Sequence, residues 1–414
     1  MKKLLLAVAL VASVSSLYAE KVRLGTAVVA GRASRTQAVN KIGELSCNAM
    51  LAGFAQGALA EVDEKPAVYA LTVDGDTPDF AKVEKPKKEP KLGKDVVAKL
   101  TVNGKALDKF LKAQKDYATV PAEIREVLAE FASLTMLARV NNKGITVDGT
   151  VKMVEGSKVA QKYPAGTLPK DALAFAAKNC LGAAAFAENA GSDLSLLKKL
   201  VQLVEKQGVK LEGLKVEGEA NDAMITLDLP QLVKTCEALE KAKASFTNEA
   251  FLASVTNLQQ KTLGSPAGKF SLALKGYECA FTPAERFAAT LPEVANKSLC
   301  NMSVGSYYSI AKAVAPVVIA QTDGLKDDPQ LQILLVGLPP ETKGAVAQAV
   351  WMKDPTTYEF VSRISADEIR SFGMASSSVM AYAMASMMKG ASDSDDDEDD
   401  DDDDTSDEKS NDED

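Results

Sequence analysis

The sequence predicts an α+β fold of tandemly duplicated modules, in which antiparallel strands are covered by helices on one side and a disordered acidic tail follows. Three observations predict it. Segments starting at Val96, Asp222 and Thr357 each alternate like a strand and then change to helical spacing; Val96, Ala98, Leu100 and Val102, for example, give way to Leu107, Phe110 and Leu111. Superimposing the three aligns Leu107 with Leu232 and Ile369, and places Asn103, Asp228 and Ser365 at the switch. Finally, the formal charge of -9 is unevenly distributed: from Asp393 onward there are 16 acids and one lysine, against 41 acids and 47 bases before it. A mildly basic body therefore carries a strongly acidic end.

The chain opens with Lys2 and Lys3, an apolar run from Leu4 to Ala12 and a short stretch ending at Ala19. That order is a secretory signal, so residues 1–19 are expected to be removed and the chain exported to the periplasm or surface of a bacterium. The apolar run is short for a bilayer crossing, and no membrane span is expected after its removal. The remainder divides into a first module at 20–166 with a Lys/Pro-rich insertion at 74–95, a second at 167–289, a shorter third at 290–390 and the tail at 391–414. An apolar share of 46% is enough for each module to build a core.

Asn103, Asp228 and Ser365 share a short side-chain acceptor suited to the first turn of a helix. Glu368 completes a Ser-x-x-Glu capping box with Ser365, and Pro230 suits the first position of the second helix. Further helices are expected from Pro121 and Thr247. A hairpin follows the first of these, turning at 142–144, with Ile145, Val147, Val151 and Met153 on one face and Thr146, Asp148, Thr150 and Lys152 on the other. The stretch KFSLALKGYECAF suggests a second hairpin about Lys275 and Gly276. Small-residue runs around Cys47, Cys180 and Cys300 read equally as helices or central strands. Ser371 to Met388 reads as a core helix continuing from Ser365, with Met380, Met384 and Met387 on one packed face; soft-metal contact and membrane insertion are weaker readings of the same stripe.

The composition excludes much chemistry. Without histidine there is no Ser-His-Asp or Cys-His catalysis and no imidazole metal ligand. The chain has no phosphate-binding GxxxxGK[ST], no dinucleotide GxGxxG and no Gly-x-Ser-x-Gly, and no cofactor is predicted. Five cysteines at wide spacing and without CxxC suggest neither a redox motif nor a zinc cluster; inert buried thiols are expected, Cys236 among them on the Leu232 and Leu239 face, with a single disulfide as the alternative. Sparse aromatics and dispersed charge argue against nucleic acid as a partner.

Two charged segments are the site candidates. Asp74, Asp76 and Asp79 have spacing that could offer oxygens to a divalent cation, although Pro78 departs from a calcium loop and a solvated turn is the simpler reading. Lys82, Lys85, Lys87, Lys88, Lys91 and Lys94 form a basic loop that could receive the acids Asp395, Asp396, Asp397, Glu398, Asp399 and Asp400 of the tail. The tail has no apolar anchor and repels itself, which predicts disorder, electrostatic association with a basic protein or surface, and weak capture of divalent cations. Together these features predict an exported, non-enzymatic binding or structural protein. The alternative is a histidine-independent hydrolase or other enzyme that uses Asp, Glu or Lys in a cleft between modules.

Overall fold

In the computed structural model, which describes residues 22–48, 63–74, 77–84, 86, 90–113, 117, 122–162, 166–187, 195–217, 222–246, 248–261, 268–321 and 325–392, β1 (Val22–Val29) leads through α1 (Arg32–Ser46) to β2 (Ala67–Asp74), β3 (Thr77–Lys82) and β4 (Val96–Asn103). Next come α2 (Gly104–Lys112), α3 (Ala122–Glu130), the hairpin β5 (Phe131–Asn141) and β6 (Gly144–Met153), and α4 (Lys158–Lys162). The middle of the chain forms β7 (Cys180–Phe186), α5 (Ser195–Glu205), β8 (Leu214–Glu217), β9 (Asp222–Leu227), α6 (Leu229–Lys241), α7 (Lys243–Phe246), α8 (Glu249–Lys261) and β10 (Gly268–Leu274). The last part contains α9 (Pro283–Thr290), a 3-10 turn (Pro292–Val294), β11 (Leu299–Gly305), α10 (Tyr307–Gln321), α11 (Pro329–Val336), β12 (Val346–Asp354), β13 (Thr357–Ser365) and α12 (Ala366–Ser392). The signal segment 1–19 and the acids from Asp395 to Asp400 lie outside the described residues.

The thirteen strands among the described residues join one sheet in the order β3-β2-β1-β4-β5-β6-β13-β12-β11-β7-β10-β9-β8. Every neighbouring pair is antiparallel except β10 and β9. The fold is thus α+β, but its helices cover both faces of the sheet rather than one. On β13, Tyr358 and Phe360 pack against the cluster of Leu107, Phe110 and Leu128 from α2 and α3, whereas Val361 belongs to the cluster of Phe287 beneath α9. Adjacent strand residues point to opposite faces, so the apolar pair Phe360-Val361 needs cover on each.

The three predicted switches are all strand-to-helix junctions. Asn103 ends β4 and its Oδ1 accepts from the Ala106 amide at 3.1 Å. Ser365 ends β13, and its Oγ accepts from the Glu368 amide at 3.2 Å and from the Ala345 amide at 3.0 Å. Asp228 sits between β9 and α6 without a side-chain capping bond; its carboxylate instead accepts from Lys275 at 2.9 Å, which holds its pKa below the usual aspartate value.

Several expectations are corrected. KFSLALKG forms only β10: after Gly276, with φ of 75°, the chain runs to Thr282, where a Thr-x-x-Glu capping box with Glu285 and Pro283 start α9 in place of a return strand. The insertion at 74–95 is not wholly loop, because Thr77–Lys82 pairs with β2 as an edge strand. Pro78 is tolerated there because an edge strand can forgo one ladder donor. The small-residue runs at Cys180 and Cys300 are the central strands β7 and β11, and Cys47 is the left-handed cap of α1. Ala185, Ala347 and Ala349 on this central sheet are fully buried, and their short side chains let α9 lie close to the strands.

The stretch from Ser371 is helical, but the packed face differs from the expected one. Ser371 and Gly373 are buried, and a Cβ on Gly373 would fall 2.1 Å from the Ser46 carbonyl of α1, while Met384 is 48% exposed. Close helix approach selects the small residues, which leaves Met384 outside; Met380 is half-buried, and the Met387 side chain lies outside the described residues. Cys236 is likewise exposed, and the inward position is its neighbour Thr235, whose hydroxyl donates to the Glu212 carbonyl at 2.6 Å.

Candidate functional site

The buried charges occur where elements that are far apart in sequence meet. Glu368 is only 3% exposed, and its carboxylate does not close the local capping box. It crosses to α10, accepting from Ser306 Oγ at 3.1 Å and from the Tyr308 amide at 2.9 Å, and so supplies the acceptor for that helix's first turn. Burial raises its pKa above the ordinary glutamate value, outweighing the hydrogen bonds that favour the anion.

Behind it, Arg286 of α9 is 2% exposed and donates to Glu341 Oε2 at 3.2 Å and to the Gly344 carbonyl at 3.4 Å. Glu341 also accepts from the Tyr277 hydroxyl and from the Ala280 amide at 2.8 Å. The result ties the turn after β10, α9 and the segment before β12 together. Burial, reinforced by the neighbouring Glu341 charge, pushes the Tyr277 hydroxyl above its ordinary value. Burial likewise raises the Cys279 thiol to about 11, keeping it neutral and unreactive.

Arg363 of β13 forms a third junction. It donates to Thr146 Oγ1 at 2.9 Å, the Thr290 carbonyl at 2.9 Å and Glu293 Oε1 at 2.5 Å, joining β6, α9 and the 3-10 turn. Burial works to raise the Glu293 pKa, but the Arg363 hydrogen bond, with backbone and charge attraction, outweighs it and holds the group below the ordinary value. In all three arrangements the charged groups bind backbone, neighbouring hydroxyls or one another.

On the α9 face is a cavity of about 290 Å³. It is lined by Leu299 and Met302 of β11, by Phe287 and Leu291, and by Leu168 and Leu173. Lys170, Asp171 and Lys297 are exposed at its mouth. The Lys297 ammonium stands 5.3 Å from the centre of the Trp351 ring, a cation–π distance that holds it near the cavity. Nothing in the local sequence marks this site, because its walls come from two stretches, 168–174 and 284–302, that are more than 100 residues apart.

The charged residues singled out from sequence are distributed differently. Asp74 ends β2 opposite Thr77, Asp79 lies exposed in β3, and Asp76 falls outside the described residues. Lys82 ends β3 and pairs with Asp63 at 2.6 Å, a contact that lowers the Asp63 pKa. Lys91 and Lys94 are exposed, whereas Lys85, Lys87 and Lys88 lie outside the described residues. Among the described residues no group of three or more His, Cys, Asp or Glu side chains could hold a metal ion, and no helix is long and apolar enough to cross a membrane.

The five cysteines are all free, so no disulfide forms among them. Ser-x-x-Lys spacings occur at Ser195–Lys198, Ser309–Lys312, Ser386–Lys389 and Ser406–Lys409. Ser309 is fully buried and Lys312 donates to the Pro339 carbonyl at 3.4 Å, so that pair offers no nucleophile to solvent; the side chains of the other three pairs lie outside the described residues. No protein-family model, curated protein or solved structure matches the chain.

Proposed function

We propose that this chain is an exported, non-enzymatic binding or structural protein of the periplasm or cell surface, built from tandemly duplicated modules, whose polyacidic tail associates with basic partners. The observation that carries the reading is the use made of buried charge: Glu368, Arg286, Glu341 and Arg363 each bind backbone groups or one another across elements. None of these groups faces the apolar cavity. The three strand-to-helix junctions support duplication, and the mildly basic body beneath 16 clustered acids supports electrostatic association within the chain or with a cationic surface.

The test compares the chain lacking residues 1–19 with the same chain also lacking 391–414. Binding to immobilised polylysine at low salt should disappear with the tail, and should weaken in the longer chain as the Debye length falls to ~8 Å at physiological ionic strength. Thermal unfolding followed through Trp351 should not change. Binding that survives truncation would overturn the tail's role. Turnover of a broad hydrolase substrate panel that a single carboxylate substitution abolishes would move the protein to the enzymatic alternative.

A further inference from the structure

We propose that the cavity beneath α9 binds a small amphiphilic carboxylate, with its apolar chain against Leu291, Phe287 and Met302 and its carboxylate at Lys297 and Lys170. This deepens the binding reading above and depends on it. Leu173, Leu291 and Val294 are each 2% exposed or less, so the walls are core side chains, yet they leave about 290 Å³ unfilled. The cavity opens to solvent past Lys170, Asp171 and Lys297, while Leu168, Leu173, Phe287, Leu291, Leu299 and Met302 give water few hydrogen-bond partners within it, so an apolar chain entering it displaces poorly held water. At ~30 Å³ per water-sized group, the volume accommodates about ten such groups, the size of an eight-carbon carboxylate.

The mouth sets the polarity of the ligand's other end. Two lysines and one acid stand there, with Lys297 fixed over Trp351. The nearby Glu359 is occupied by Lys353 at 2.9 Å and by the Trp351 indole N–H at 3.0 Å. An anionic head therefore meets a cationic rim, while an ammonium head would meet like charge. A ligand arriving at Lys297 also displaces or re-aims the ammonium over the only tryptophan, which supplies an intrinsic signal.

Octanoate, 1-octanol and octylamine, each titrated into the full chain lacking 1–19, test the proposal by calorimetry and Trp351 fluorescence. Octanoate should bind with a submillimolar Kd, a range reached when such a chain is buried, and octylamine should bind at least ~10-fold more weakly. Lys297→Met and Lys170→Met should each raise the octanoate Kd ~3-fold, and together ~10-fold, as expected for partly exposed ion pairs. Both should leave octanol binding unchanged. Ala288→Phe, at an exposed position on the rim, should abolish binding of octanoate and octanol alike while leaving the unfolding midpoint in place. No heat or fluorescence change with octanoate, equal binding of octylamine, or binding that Ala288→Phe leaves intact would overturn the site. Because polylysine binding reports on the tail alone, a dry cavity in a chain that still binds polylysine refutes this inference without refuting electrostatic association.

Discussion

Replacing Glu368 separates two contributions of one buried carboxylate. Glu368→Ala leaves Ser306 Oγ and the Tyr308 amide without the acceptor they reach at 3.1 and 2.9 Å. An unsatisfied buried donor costs ~1–3 kcal/mol, and the two losses are partly offset because a desolvated charge is removed. The expected net cost is about 2–4 kcal/mol. Glu368→Gln keeps an acceptor oxygen and drops the charge, so its cost at pH 7 should stay below about 1 kcal/mol. The assay is urea unfolding followed through Trp351, reading the midpoint at constant slope. pH provides a second axis. Because burial raises the Glu368 pKa in the folded state, the folded protein holds this proton more tightly than the unfolded chain does. The stabilisation from that proton is complete below the ordinary value of 4.5 and is lost as pH rises through the raised folded value. The wild-type protein should therefore lose stability relative to Glu368→Gln as pH increases across that window. Equal costs for Ala and Gln at pH 7, or a wild-type protein that gains on Gln with rising pH, would refute the argument.

Three other outcomes follow from the same geometry. Asn103→Ala should cost ~1 kcal/mol in the same urea assay, because the Ala106 amide loses its capping acceptor. Gly104→Ala should cost about 3 kcal/mol or more, or prevent accumulation of folded protein, since its Cβ would lie 1.8 Å from the Phe131 carbonyl oxygen. A thiol reagent at pH 8 should label Cys47 and Cys236 in the native protein, and Cys180, Cys279 and Cys300 only after unfolding.

The parts of the fold legible in sequence are those fixed by nearby residues. The hairpin of β5 and β6 follows from clean alternation around a tight turn, and the helix starts after Asn103 and Ser365 follow from acceptors that bond amides three residues away. Where a distant partner decides, local pattern misleads. Glu368 has the spacing of a capping box, yet Ser306 and Tyr308, some 60 residues earlier, take its carboxylate. The Cys236 face is displaced by one position because Thr235 finds the Glu212 carbonyl, and the methionine stripe yields to Ser371 and Gly373 because α1 crosses there. Pairing of two sheet faces with different helices leaves no periodic trace in Phe360-Val361, so cover on one side was all that alternation suggested. The cavity is less legible still: Leu168, Phe287 and Met302 acquire a common site only when the sheet is assembled.

The strand order also constrains how such a chain can emerge and fold. The hairpin of β12 and β13, made near the end of the chain, fills the gap between β6 and β11. Until it arrives, a chain appearing from its N-terminal end has two partial sheets, each with an open lateral strand, and no backbone pairing between them. Arg363 reaches Thr146 and Thr290 only at that last step, so closure is also when its charge becomes compensated. A ribosome that stalls before Val346 would leave a single chain whose β6 and β11 edges are both open to pairing with other chains.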